Sequence, residues 1–126
     1  MEPGSRITTP AIDAVIIGSG NVASVVAPAL EQSGVVAIRQ VYSPTLQHAR
    51  QLASKLKGAE AVGKIEDVAK DAELYLVAVK DDAIAEIAGR MSRNDAVWLH
   101  TSGGVESSEL APLTESYGVF YPLQTF

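Results

Sequence analysis

The sequence predicts an α/β domain with a doubly wound, mostly parallel sheet of about six strands. Short apolar runs of strand length alternate along the chain with segments whose apolar residues recur at helical spacing. This alternation is typical of a parallel sheet that carries helices on both faces. The 126 residues are enough for one such domain. We expect residues 12–126 to form it and residues 1–11 to be a mobile arm.

The strands and helices follow in order from these runs. Six strands are predicted, at Ile12–Ile17, Val35–Tyr42, Ala59–Val62, Leu74–Val79, Ala96–Leu99 and Gly118–Tyr121. A first helix is predicted over Asn21–Ser33, with a bend at Pro28 and a buried stripe of Val22, Val25, Val26, Ala29 and Leu30. The second helix is expected to have Ser43 as N-cap and Pro44 as first residue, and the third to be capped by Asp81 or Asp82. Short helical segments are expected near 65–69 and 106–111.

The composition excludes several classes of protein. Hydrophobic residues make up 47% and charged residues 20% of the chain, which is typical of a globular domain. The net charge is −5 and the ten basic residues are scattered, which argues against nucleic acid as a partner. There is no cysteine, so disulfides and thiol chemistry are excluded. The apolar runs are too short for a membrane span and the first residues lack a signal-peptide core, so we expect a cytoplasmic protein.

A glycine-rich turn follows the first predicted strand. Residues 18–23 read Gly-Ser-Gly-Asn-Val-Ala, the pattern GxGxxA, and they open the first helix. In a Rossmann-type sheet, the first glycine makes the tight turn and the second lets a pyrophosphate approach the backbone. We therefore predict a dinucleotide cofactor in contact with Gly18, Ser19, Gly20, Asn21 and Val22. A glycine turn without a ligand is the alternative.

The end of the second strand indicates which dinucleotide is preferred. NAD sites place an acidic residue there to bind the ribose hydroxyls, but residues 40–45 contain no acid. A carboxylate would repel a 2′-phosphate, whereas the hydroxyls of Ser43 and Thr45 at a helix N-terminus could bind it. The sequence thus favours NADP over NAD, although Ser43 could also serve simply as an N-cap. The missing acid also argues against a methyltransferase that binds S-adenosylmethionine.

Two more strand ends are expected to face the cofactor, because ligands lie beyond the carboxyl ends of parallel strands. Val79 and Lys80 follow the fourth strand and would lie near the ribose and nicotinamide, although Lys80 could equally be a solvated surface residue. Ser102, after the fifth strand, could present its backbone N–H. His100 is the candidate acid–base group, since imidazole exchanges protons near neutral pH. A histidine held for structural reasons is the alternative. No metal-ligand cluster and no complete active site can be identified.

Five segments resemble a known bacterial family. They are 16–23, Val41-Tyr42-Ser43, 77–82, His100-Thr101-Ser102-Gly103 and 118–126. Together they look like the Rossmann-like N-terminal half of NADP oxidoreductases that carry a C-terminal helical domain of unknown function. The chain is more distantly similar to pyrroline-5-carboxylate reductases and deazaflavin-dependent NADP reductases, within the 6-phosphogluconate dehydrogenase-like group. It departs from the family at Pro44, where members often have Arg.

The resemblance implies an NADP(H)-binding domain of an oxidoreductase that acts on a small carbonyl or imine. It also implies a partner, either a second copy in a homodimer or the C-terminal domain, which is absent from this sequence and closes the substrate site in related reductases. A module that senses NADP(H) without hydride transfer is the alternative. Because Pro122 interrupts the apolar segment around Phe120, Tyr121, Leu123 and Phe126, we expect an exposed apolar patch there and self-association.

Overall fold

A six-stranded parallel sheet runs through the middle of the structure, a computed structural model that describes residues 11–102 and 104–120. The strands are β1 (Ile12–Ile17), β2 (Val36–Tyr42), β3 (Glu60–Val62), β4 (Leu74–Val77), β5 (Val97–His100) and β6 (Ser116–Val119). Their order across the sheet is β3-β2-β1-β4-β5-β6, and every neighbouring pair is parallel. The predicted doubly wound fold is confirmed. The order reverses between β1 and β4, where parallel-sheet proteins bind their ligands.

Helices cover the two faces of the sheet with separate cores. The helices are α1 (Asn21–Gln32), α2 (Leu46–Ala53) and α3 (Asp81–Arg90), with short 3-10 helices at Ile65–Asp67 and Ser107–Leu110. One core lies between the sheet and the pair α1 and α2; the other lies between the sheet, α3 and both 3-10 helices. This division follows from right-handed crossovers on either side of β1.

The core beneath α3 centres on two stacked aromatic rings. Tyr75 of β4 and Trp98 of β5 are fully buried, with ring centroids 4.2 Å apart and planes within 9° of parallel. The Trp98 indole N–H donates to Asn94 Oδ1 at 2.9 Å, and the Tyr75 hydroxyl donates to the Ala69 carbonyl. Both polar groups are thus satisfied inside the core.

The stripe predicted for α1 is partly wrong. Val22 and Val25 are 43% and 62% exposed, whereas the buried residues are Ala23, Val26 and Ala27. Because α1 is apolar almost all round, its periodicity does not single out one face. Small alanines let the helix approach the sheet closely, so Ala23 and Ala27 face inward beside Val26, whereas Val22 and Val25 lie on a flank. The helix continues through Pro28.

Several predicted boundaries are also wrong. The N-cap of α2 is Thr45, not Ser43, and the N-cap of α3 is Lys80, so Asp81 and Asp82 lie in the first turn. Carboxylates there are stabilised by the helix dipole. Strand β5 extends through His100. Strand β4 ends two residues earlier than predicted, at Val77, and β6 lies earlier, at Ser116–Val119. The predicted arm, apart from Ala11, and the predicted patch, apart from Phe120, lie outside the described residues.

Candidate functional site

The turn between β1 and α1 requires glycine at its first position. Gly18 has φ of +120°, and its N–H donates to the Tyr42 carbonyl at 2.8 Å. A Cβ on Gly18 would lie 2.2 Å from the Ala78 carbonyl oxygen, far inside van der Waals contact. The missing side chain therefore allows the turn to pass directly against the residue that follows β4.

The second glycine of the turn faces open space. Gly20 is the N-cap of α1 with φ of −78°, and no atom lies within 4 Å of the position that its Cβ would take. The first N–H groups of a helix have no partners within it, and the first turn of α1 contains no acid. The turn therefore offers hydrogen-bond donors and a positive dipole end to an anion, which fits a pyrophosphate.

A cleft of about 570 Å³ opens at this turn. It lies at the carboxyl ends of β1, β2 and β4, where the strand order reverses, and its volume is in the range of small-molecule sites. Its lining comprises Gly18, Ser19, Gly20, Asn21, Val22, Ser43, Pro44, Ala78, Val79, Lys80, Asp82, Ala83 and Thr101. Eight of the predicted cofactor residues are thus brought together, all except Thr45 and Ser102. The sequence reasoning missed Ala78, Asp82, Ala83 and Thr101, although each adjoins a strand end that it had identified.

The end of β2 presents little polar surface to the cleft. Ser43 is buried; its N–H donates to the Val62 carbonyl at 3.1 Å and its Oγ accepts from the Thr45 N–H at 3.3 Å. Pro44 is exposed, whereas Thr45 is exposed on α2 but does not line the cleft. No carboxylate stands at this strand end to repel a phosphate.

The opposite wall is formed by the segment between β4 and α3. Val79 is half-buried and Lys80 exposed, and both line the cleft beside Asp82 of the first turn of α3. One cation and one anion therefore stand close together on this wall, where a bound dinucleotide would extend from the turn.

His100 lies inside the protein rather than on the cleft wall. It is fully buried, its Nδ1 accepts a hydrogen bond from the Ser102 N–H at 3.1 Å, and its Nε2 lies 3.3 Å from the Glu106 carbonyl oxygen. The Ser102 hydroxyl donates to the carboxylate of Asp81. Both ring nitrogens thus have backbone partners, so this geometry does not support the acid–base role, which stays a prediction.

Residues 11–102 and 104–120 contain neither a metal-ligand cluster nor a helix suited to a membrane. No group of three or more His, Asp or Glu side chains converges on a point where a metal ion could bind. None of the helices there has the length and apolar character that a membrane crossing needs.

The chain can be assigned to a protein family. Residues 2–124 match the model of the Rossmann-like domain family, so the chain belongs to that family. No protein of curated function matches the sequence. The Rossmann-like assignment from sequence is confirmed, whereas the more distant links to pyrroline-5-carboxylate and deazaflavin-dependent reductases stay predictions.

Two solved structures have the same fold as this chain. The chain is 39% identical to a putative NADP oxidoreductase from Bacteroides fragilis, with a TM-score of 0.82, over 93% of this chain and 46% of that one. It is 25% identical to a Thermotoga maritima protein, with a TM-score of 0.65, over 90% of this chain and 41% of that one. The chain therefore spans less than half the length of either protein. Fold, cleft and neighbours together define a nucleotide-binding domain of the oxidoreductase type.

Proposed function

We propose that this chain is the NADP(H)-binding domain of an oxidoreductase that acts on a small carbonyl or imine compound. The observation that carries the proposal is the donor-rich start of α1, which opens into a cleft at the point of strand reversal and has an empty face at Gly20. The likeness to the Bacteroides fragilis protein supports the NADP assignment.

Different residues of the cleft bind different parts of the cofactor in this proposal. The backbone N–H groups of Gly20, Asn21 and Val22 bind the pyrophosphate, with Ser19 beside them. Val79 and Lys80 contact the ribose and nicotinamide, and Ser102 stands just beyond. When bound, the nicotinamide supplies or accepts the hydride. The protein positions it and excludes water.

The preference for NADP over NAD comes from the end of β2. Residues 40–45 contain no carboxylate to repel a 2′-phosphate, and the hydroxyl of Ser43, which lines the cleft, can donate to it. The Ser43 oxygen already accepts from the Thr45 N–H, which leaves its own proton available. Since no cation stands at Pro44, we expect a modest preference.

Turnover requires groups other than the described residues that line the cleft. Lys80 and Asp82 are the titratable residues among those that line the cleft. Both ring nitrogens of His100 are bonded to backbone. A second domain or the partner subunit of a homodimer therefore completes the substrate site, consistent with a chain that spans 46% of its Bacteroides fragilis relative. The same scarcity of acid–base groups favours the alternative of a non-catalytic NADP(H) sensor. Reduction of any member of a carbonyl and imine library by the full-length protein with NADPH would exclude that alternative.

Calorimetric titration of the chain with NADPH and NADH tests cofactor binding. We expect NADPH to bind more tightly. Gly20→Glu should abolish binding of both, because its side chain and charge occupy the pyrophosphate path while the open space leaves the fold unchanged. Circular dichroism of the variant is the control for folding. Tighter binding of NADH would remove the NADP assignment, and unimpaired binding by Gly20→Glu would place the ligand elsewhere.

The exposed Pro44 allows a matched pair of variants for the phosphate preference. Pro44→Arg should tighten NADPH binding about tenfold and Pro44→Glu should weaken it by a similar factor, with little change for NADH, because only NADP carries the extra charge. Parallel changes for both cofactors would show that Pro44 does not face the 2′ position.

A further inference from the structure

Two described residues that follow β5 contact the side chain of His100. We define the β5 loop as residues 101, 102 and 104–106. The fully buried imidazole stands between the Ser102 N–H and the Glu106 carbonyl, so both partners belong to the loop that follows it. The imidazole therefore connects Ser102 and Glu106, two residues of the β5 loop.

The two contacts select one form of the imidazole. Nδ1 accepts a hydrogen bond from the Ser102 N–H and so carries no proton, whereas Nε2 faces a carbonyl oxygen, which can only accept. These requirements are met by the neutral ring with its proton on Nε2. Among the described residues, every buried side-chain nitrogen and oxygen has a partner, His100 included.

The β5 loop is connected to the cleft at successive residues. The Thr101 N–H donates to the Val77 carbonyl at 3.2 Å, and Thr101 lines the cleft. Ser102 is held through its N–H by His100 and through its hydroxyl by Asp81, in the first turn of α3. Asp81 adjoins Lys80 and Asp82, both on the cleft wall. A shift of Ser102 would thus move Thr101 and the start of α3 together.

We propose that His100 is a positioning residue: its neutral Nε2–H imidazole holds the β5 loop so that Thr101 and the first turn of α3 form the nicotinamide side of the cofactor cleft. His100 then exchanges no proton with the substrate. The role in cofactor binding rests on the proposed function, whereas the role in loop position does not.

Two substitutions of His100 separate its contacts. The side-chain oxygen of His100→Asn takes the place of Nδ1 and can accept from the Ser102 N–H, whereas the amide of His100→Gln reaches the place of Nε2 and donates to Glu106. We expect His100→Asn to bind NADPH within about twofold of the unsubstituted chain and His100→Gln about three- to tenfold more weakly. Equal losses, or a greater loss in His100→Asn, would overturn the proposal.

Nuclear magnetic resonance supplies readouts that do not depend on NADPH. The ¹⁵N shifts of His100 should show a protonated Nε2 and an unprotonated Nδ1 at neutral pH, and the Thr101 and Ser102 amides should shift more in His100→Gln than in His100→Asn. The opposite tautomer, or amides unmoved in both variants, would overturn the positioning role. If the unsubstituted chain binds no NADPH, the proposed function and the cofactor part of this proposal fall together, while these spectra still decide the loop part.

Should both His100 variants fail to fold, Ser102→Ala tests the same connection at a half-buried position. It removes the bond to Asp81 but keeps the N–H bond to His100. We expect about two- to fivefold weaker NADPH binding with the His100 tautomer unchanged. Unaltered NADPH binding would show that the loop does not shape the cleft.

Discussion

The substitution Gly18→Ala tests the geometry of the glycine turn through folding stability alone. The new methyl group would overlap the Ala78 carbonyl at 2.2 Å for its oxygen and 2.8 Å for its carbon, and φ of +120° is unfavourable for any residue with a Cβ. The obstacle is backbone at the end of β4, so no side-chain rotation can relieve it. Either β1 and β4 must separate locally or the turn must change its conformation.

The loss of stability in Gly18→Ala has two contributions, the unfavourable φ and the overlap with the Ala78 carbonyl. A sparsely populated φ costs about 1–3 kcal/mol. Forcing extra atoms into a packed site costs about 1–3 kcal/mol. Gly18→Ala should therefore lower the free energy of unfolding by about 2–6 kcal/mol, or Tm by about 8–24 °C at roughly 4 °C per kcal/mol. That is a large part of the stability of a domain of this size.

The matched control is Gly20→Ala, two residues along the same turn. Gly20 has an ordinary negative φ, and no atom lies within 4 Å of the position of the added methyl. The Tm of Gly20→Ala should therefore stay within about 4 °C of the Tm of the unsubstituted chain. Thermal unfolding followed by circular dichroism measures both variants without a cofactor. If Gly18→Ala proved as stable as Gly20→Ala, the conclusion that the turn lies directly against the Ala78 carbonyl would be refuted.

Two more predictions concern the core and the surface. Burial raises the pKa of Tyr75 above its ordinary value of 10.0. The stability gained from the neutral phenol is therefore present below pH 10 and is lost as the pH rises through the raised pKa. Tyr75→Phe loses the bond to Ala69, so its free energy of unfolding should be about 1–3 kcal/mol lower at neutral pH. Above pH 10 that free energy should fall less steeply with pH than in the unsubstituted chain. An equally steep fall in both proteins, measured by urea unfolding, would contradict this prediction. On the surface, Val22 and Val25 are 43% and 62% exposed and lie one turn apart on α1, so we expect concentration-dependent self-association through this apolar face that Val25→Lys weakens. Sedimentation of the unsubstituted chain as a monomer at all concentrations would refute that expectation.

The sequence was sufficient for the fold because the strand–helix alternation is unambiguous in a sheet buried on both faces. It was sufficient for the glycine turn because Gly18 is required locally, by its positive φ and by the Ala78 carbonyl beside it. It was insufficient for the face of α1, where valines and alanines both have helical spacing and the need for close packing decides between them.

The environment of His100 could not be derived from the sequence either. A polar residue at the end of an apolar run predicts a loop, yet β5 continues through it, because Ser102 and Glu106 satisfy both ring nitrogens once the loop closes. Likewise Thr45, not Ser43, begins α2, because the backbone of Ser43 still pairs with β3. In both cases the deciding contacts come from backbone groups that the sequence pattern does not reveal.

The most direct test of cofactor binding is an amide chemical-shift titration of the chain with NADPH. If the cofactor binds in the proposed cleft, the largest shifts will fall on Gly20, Asn21 and Val22, followed by Val79, Lys80 and Thr101, all of which line it. Shifts concentrated at the amino ends of the strands, or no shifts at saturating NADPH, would contradict cofactor binding in this cleft.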